Sequence, residues 1–114
     1  MADPITIRPQ PGIWTVRAGG AVLGETTHAK VLSRAHAPDM VYFPREDIAM
    51  AFLEPSSKRT TEPGLGEAVH FSIVSLSETI EDAAWSFESP EEAATAIAGH
   101  LAFRAGDRIT IEEL

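Results

Sequence analysis

Residues 67–74 alternate without interruption, with Val69, Phe71 and Ile73 on one side and Ala68, His70, Ser72 and Val74 on the other. A period of two residues over that length specifies a β-strand. The remaining apolar runs are shorter and are cut by eight prolines and eight glycines. A chain punctuated this often builds short strands and turns, so the expected fold class is mainly β, with one or two short helices.

Residues 5–7 alternate briefly before Pro9 and Pro11. Residues 13–18 alternate again up to Gly19-Gly20, a dipeptide able to supply positive φ, and 21–23 continue outward, which reads as a hairpin. A strand is expected over 29–34, with Ala29, Val31 and Ser33 facing one way and Lys30, Leu32 and Arg34 the other. The β-favouring run Met40-Val41-Tyr42-Phe43 is stopped by Pro44, which suits the first turn of a short helix through Arg45, Glu46 and Asp47. Residues 49–53 read as a strand ended by Pro55 and the polar stretch 56–59. Residues 80–87 should return antiparallel to 67–74. Ser89-Pro90-Glu91-Glu92 has the capping-box pattern, so a helix is expected from there to Gly99, laying Ala93, Ala94, Ile97 and Leu101 against a sheet. Ile109, Thr110 and Ile111 close the chain as a strand.

A length of 114 residues accommodates one core, and residues 1–114 are expected to form a single domain. Seventeen acidic against nine basic side chains give a net charge of −8, which opposes approach to nucleic acid or to anionic membranes. No cysteine is present, which removes disulfides, thiol nucleophiles and thiolate zinc sites and agrees with a reducing compartment. Met1-Ala2-Asp3-Pro4-Ile5 shows neither a basic leader nor a long apolar run, so a cytoplasmic, bacterial-type protein is the expectation.

The four histidines, His28, His36, His70 and His100, form no HxH or HxxxH pair, and no metal or other cofactor is expected. Gly64-Leu65-Gly66 lacks a third glycine and precedes a strand, so it is a turn and not a phosphate loop. No serine occupies a nucleophile elbow. The carboxylate pairs Glu46/Asp47, Glu81/Asp82 and Glu112/Glu113 are sequence neighbours, which on a strand point to opposite faces. The aromatic residues carry more information. Trp14, Tyr42, Phe43, Phe71, Trp85 and Phe87 fall on different expected strands, and curvature can gather several of them into a core or an open cleft. Alternation can aim the polar ends of Arg17, Arg34, Tyr42 and His70 at the same concavity, where each needs a hydrogen-bond partner.

An ordered series of motifs spans roughly residues 13–112: Gly20-x-Val22-x-Gly24-Glu25-Thr26, Ala29-x-Val31-Leu32, Val41-Tyr42-Phe43-Pro44-Arg45-Glu46-Asp47-Ile48, Leu53-Glu54-Pro55-Ser56, Thr61-x-Pro63-x-x-Gly66-x-Ala68, Ala84-Trp85 and Ile97-Ala98-Gly99-His100-Leu101-Ala102-Phe103. The series resembles the small bacterial domain of unknown function 427. That resemblance implies a β-tent, two antiparallel sheets meeting at an angle, as in the thalidomide-binding domain of cereblon and methionine sulfoxide reductase B. A nucleotidyltransferase label is sometimes attached to the family, but these residues show neither a phosphate-binding loop nor a paired-aspartate metal site. Where family members usually read Thr-x-Cys-Pro-x-Lys-Gly-x-Ala-x-Tyr, Glu62 stands for the cysteine, Leu65 for the lysine and His70 for the tyrosine. Arg34 occupies a commonly acidic position. An exchange of acid for base there implies a site turned toward more anionic ligands.

Three readings of function stay open. One is a binding module whose cleft, lined by Arg17, Arg34, Tyr42, His70 and Trp85, captures a small molecule by stacking and a few directional bonds. A second is an enzyme using His70 as general acid or base, oriented by Glu62 or Glu67. The third is a homo-oligomer, expected as a homodimer, with a filled cleft and an edge strand for docking.

Overall fold

The alternating segment sits at the centre of the molecule because both of its sides are covered. In a computed structural model, which describes residues 4–75 and 78–114, it forms β7 (Gly66–Val74), flanked by β6 (Leu53–Glu62) and β8 (Thr79–Ser86). With β9 (Ala102–Phe103) these make a four-stranded antiparallel sheet in the order β6-β7-β8-β9. The opening segment Met1-Ala2-Asp3 lies outside the described residues.

Two three-stranded antiparallel sheets complete the fold. One joins β1 (Ile5–Pro9), β4 (Lys30–Arg34) and β5 (Met40–Tyr42) in the order β1-β4-β5. The other sets the hairpin β2 (Trp14–Ala18) and β3 (Ala21–Thr26) beside the terminal β10 (Ile109–Glu113), in the order β10-β2-β3. The fold is mainly β as expected, but with three hydrogen-bonded sheets in place of two, because the hairpin recruits β10 instead of extending either neighbour. Gly19 has φ +61°, the conformation this tight turn demands of its first residue.

Each face of the four-stranded sheet covers its own core. Phe71 and Ile73 of β7 join Val16, Leu23, Phe43, Phe103 and Ile109 on the side of β10-β2-β3. Ala68 of the opposite face joins Leu32, Tyr42, Leu65, Phe87 and Ile97 on the side of β1-β4-β5. Phe43 and Leu101 exchange backbone hydrogen bonds of 2.8 Å, tying the end of β5 to the start of β9. The rings of Phe43 and Phe103 meet edge-to-face at 5.9 Å beside this joint.

Two expected elements differ. Residues 49–53 are not a strand: Met50–Phe52 is a 3₁₀ turn, and the strand begins at Leu53 and runs through Pro55 to Glu62. Proline is tolerated because β6 is an edge strand, and the pairing register shifts between Pro55 and Arg59, a bulge with exposed Lys58 and Arg59 that blunts the edge. The capping-box helix is likewise a 3₁₀ segment, Glu92–Ile97, with no side-chain cap. Its backbone is held by tertiary bonds instead, Glu91 N–H to the Leu65 carbonyl at 2.9 Å and Gly99 N–H to the Phe87 carbonyl at 3.0 Å. These anchors leave room for only six helical residues. Ala94 and Ile97 are buried under it, whereas Ala93 is exposed. Arg45–Asp47 is a third 3₁₀ turn, placed where Pro44 predicts it. No helix among the described residues is long and apolar enough to cross a membrane.

Candidate functional site

The sheets β1-β4-β5 and β6-β7-β8-β9 are stitched at Phe43 and Leu101 and enclose a cleft of about 310 Å³ lined from both. That volume lies at the lower end of the range typical of small-molecule sites, about 300–1,000 Å³. Leu32, Arg34, Met40 and Tyr42 come from one sheet, with Ala37 and Pro38 from the connecting loop. Thr60 and Glu62 of β6, Ala68 and His70 of β7, Trp85 of β8, and Leu65 and Phe87 at strand ends supply the other wall.

His70 and Trp85 are directly opposed cross-strand partners, so the pleat sends both side chains to the same face. Their ring centroids are 6.4 Å apart with the planes inclined by 40°. Tyr42 is the last residue of β5, and only 2% of its surface is exposed. The Trp85 indole Nε1–H donates to Tyr42 Oη at 3.3 Å, bridging the two walls. An indole can only donate, so Tyr42 is the acceptor here and its own hydroxyl proton remains available. Burial pushes the Tyr42 hydroxyl above its ordinary 10.0, against the lowering effects of the Trp85 bond and the Arg34 charge. It is a neutral donor.

His70 is 8% exposed. Its Nε2 lies 3.0 Å from Thr60 Oγ1, while Nδ1 is buried without a partner among the described residues. Burial holds its pKa below 6.5, and the nearby Lys58 and Arg59 charges act in the same direction while Asp82 opposes them. The imidazole is therefore neutral near pH 7. Neither carboxylate proposed to orient it does so. Glu67 lies on the opposite face of β7 by the two-residue period, and Glu62 turns to Arg34.

Arg34 Nη2 and Glu62 Oε2 are 3.4 Å apart at the edge of the cleft, with side chains 27% and 41% exposed. A single long contact between groups this accessible is worth about 0–1 kcal/mol. It nevertheless corrects the inference drawn from Arg34 alone. Glu62 supplies a negative charge against Arg34, so the rim is an ion pair and not a free cation.

Of the five residues expected to meet, the structure brings Arg34, Tyr42, His70 and Trp85 into one cleft. Arg17 is elsewhere. It lies on β2 in the third sheet, and its Nη1 pairs with Glu112 Oε1 at 3.3 Å, because alternation fixes the face a side chain takes but not which sheet its strand joins. Trp14 is also apart, its indole donating to the Pro11 carbonyl at 3.1 Å. The sequence pattern does not mark Thr60, because Pro55 and the polar stretch 56–59 end the expected strand before it, nor does it mark the apolar floor of Leu32, Met40 and Leu65. Among the described residues no three His, Cys, Asp or Glu side chains gather as a metal site would require.

No curated protein matches the chain. Residues 6–113 match the family model described as a domain of unknown function, DUF427, and the chain belongs to that family.

Proposed function

We propose that this member of the DUF427 family is a small-ligand-binding β-tent module that works through the cleft between β1-β4-β5 and β6-β7-β8-β9. The observation that carries the reading is the convergence of Tyr42, His70, Trp85 and Arg34 on one 310 Å³ cavity with an apolar floor. Aromatic and aliphatic walls supply burial, and a few polar groups fix orientation. The Tyr42 hydroxyl proton and the outward groups of Arg34 and Glu62 are the directional contacts such a ligand would use. His70, the candidate general acid or base, has the Thr60 hydroxyl at 3.0 Å from Nε2 and no carboxylate as its hydrogen-bond partner among the described residues.

The test is an NMR titration of the ¹⁵N-labelled chain with a mixture of aromatic fragments. Shifts confined to the Tyr42, His70 and Trp85 backbone amides and the Trp85 indole, lost in a folded Trp85→Ala variant, are the expected outcome. Shifts scattered over the surface, or none at all, would refute the assignment.

A further inference from the structure

Arg34 leaves the end of β4 and Glu62 the end of β6, so the two walls of the cleft meet at its edge as opposite charges. Their one contact uses one guanidinium nitrogen and one carboxylate oxygen. The other Arg34 nitrogens and Glu62 Oε1 have no protein partner among the described residues. The same cleft is lined by Leu32, Met40, Leu65, Trp85 and Phe87. We infer that the cleft takes a zwitterion, a free amino acid with an apolar or aromatic side chain, its carboxylate on Arg34 and its ammonium on Glu62. This rests on the cleft being a ligand site.

The charge pattern selects against the alternatives. An anion gains Arg34 but meets the Glu62 carboxylate, and a chain of net charge −8 repels it from a distance. A cation gains Glu62 but meets the Arg34 guanidinium. A neutral molecule draws nothing from the pair beyond ordinary hydrogen bonds. A zwitterion replaces one weak contact by two charge-assisted ones and leaves neither charge alone. The carboxylate and ammonium of an amino acid are one carbon apart, a spacing compatible with two protein groups 3.4 Å from each other. A peptide terminus carries only one of the two charges, which points to the free amino acid.

Calorimetric and NMR titrations of the full chain with L-phenylalanine, phenethylamine, hydrocinnamate and phenethyl alcohol separate the possibilities. L-phenylalanine should bind at least about tenfold tighter than each of the other three, about 1.4 kcal/mol. The advantage should vanish in Arg34→Met and in Glu62→Gln, whose part-exposed positions leave the melting temperature close to wild type. The double exchange Arg34→Glu with Glu62→Arg should restore part of it. Equal affinity for phenethyl alcohol and L-phenylalanine, with cleft resonances moving for both, overturns the zwitterion and leaves the binding module standing. Hydrocinnamate binding tightest overturns it in favour of an anion site. If no probe moves the cleft resonances, the inference and the binding reading fall together.

Discussion

Gly24 is the position at which one added methyl group should loosen the molecule. It lies on β3 and forms an isolated bridge with Ile48, just beyond the turn that follows Tyr42 and Phe43. A Cβ built on Gly24 would stand 2.7 Å from the Asp47 carbonyl oxygen and would also run into the Ile48 side chain. Ile48 can rotate, but the carbonyl is backbone. Relief requires the turn to back away from β3, stretching the 2.7 Å bond from Ala49 N–H to the Leu23 carbonyl and the 2.8 Å bond from Thr26 Oγ1 to Asp47. Overpacking of this kind costs about 1–3 kcal/mol, and a strained hydrogen bond adds a fraction of about 1 kcal/mol. The smaller conformational freedom of alanine in the unfolded chain offsets about 0.4–1 kcal/mol. The net is a destabilisation of about 1–3 kcal/mol. An unfolding entropy of about 2.1 cal/mol/K per residue makes 1 kcal/mol about 4 °C for a chain of 114 residues. Thermal denaturation followed by circular dichroism should therefore show Gly24→Ala melting about 4–12 °C below wild type. Gly20→Ala is the control. Nothing lies within 4 Å of its added Cβ, and it should stay within about 2 °C of wild type. If the two variants melt together, the close approach between β3 and the Asp47 turn is not a feature of the folded protein in solution.

Tyr42→Phe removes the acceptor of the Trp85 indole at a position 98% buried, so it should cost about 1–3 kcal/mol in denaturant unfolding while the circular dichroism spectrum keeps its shape; an unchanged midpoint would count against the bridge between the walls. Leu65→Ala should cost toward the lower end of about 2–5 kcal/mol, because the side chain borders an open cleft on one side, and equal stability would show Leu65 to be unpacked. The pKa of His70 is lowered by burial and by Lys58, and that of His100 by burial and by Lys30, so below about pH 6.5 the unfolded chain binds protons that the folded chain refuses. Stability should be fully present above that pH and fall as pH drops toward the lowered folded-state values. His70→Gln, which can keep a bond to Thr60, should flatten this slope, whereas an identical slope in the variant would remove His70 from the account.

Much of this architecture is legible in the residues. The β2-β3 hairpin follows from alternation around Gly19-Gly20, and β7 from the unbroken two-residue period, which also sorts Phe71 and Ile73 from Ala68 into separate cores and turns His70 toward the cleft. That Tyr42, His70, Trp85 and Arg34 share a cleft follows from faces and the family resemblance together. The failures have a common cause, since local pattern is silent about tertiary partners. Pro55 and the polar residues after it signal a loop until β6 is known to be an edge strand. The Ser89-Pro90-Glu91-Glu92 pattern signals an α-helix until the backbone is found tied to Leu65 and Phe87. Arg17 has the right face on the wrong sheet. The Arg34–Glu62 pair joins residues 28 apart in sequence, which no period could have matched.

The cleft itself is tested most directly by the fluorescence of one indole. Of the two tryptophans, Trp14 lies on the third sheet and Trp85 lines the cleft, so a Trp14→Phe variant leaves a single reporter in the proposed site. Titration with L-phenylalanine and phenethyl alcohol, both transparent where indole is excited, should give a saturable change in Trp85 emission and protect it from acrylamide quenching with at least one of them. Emission and quenching that stay constant across the titration, in a variant melting as wild type does, would contradict an open ligand cleft between the two sheets.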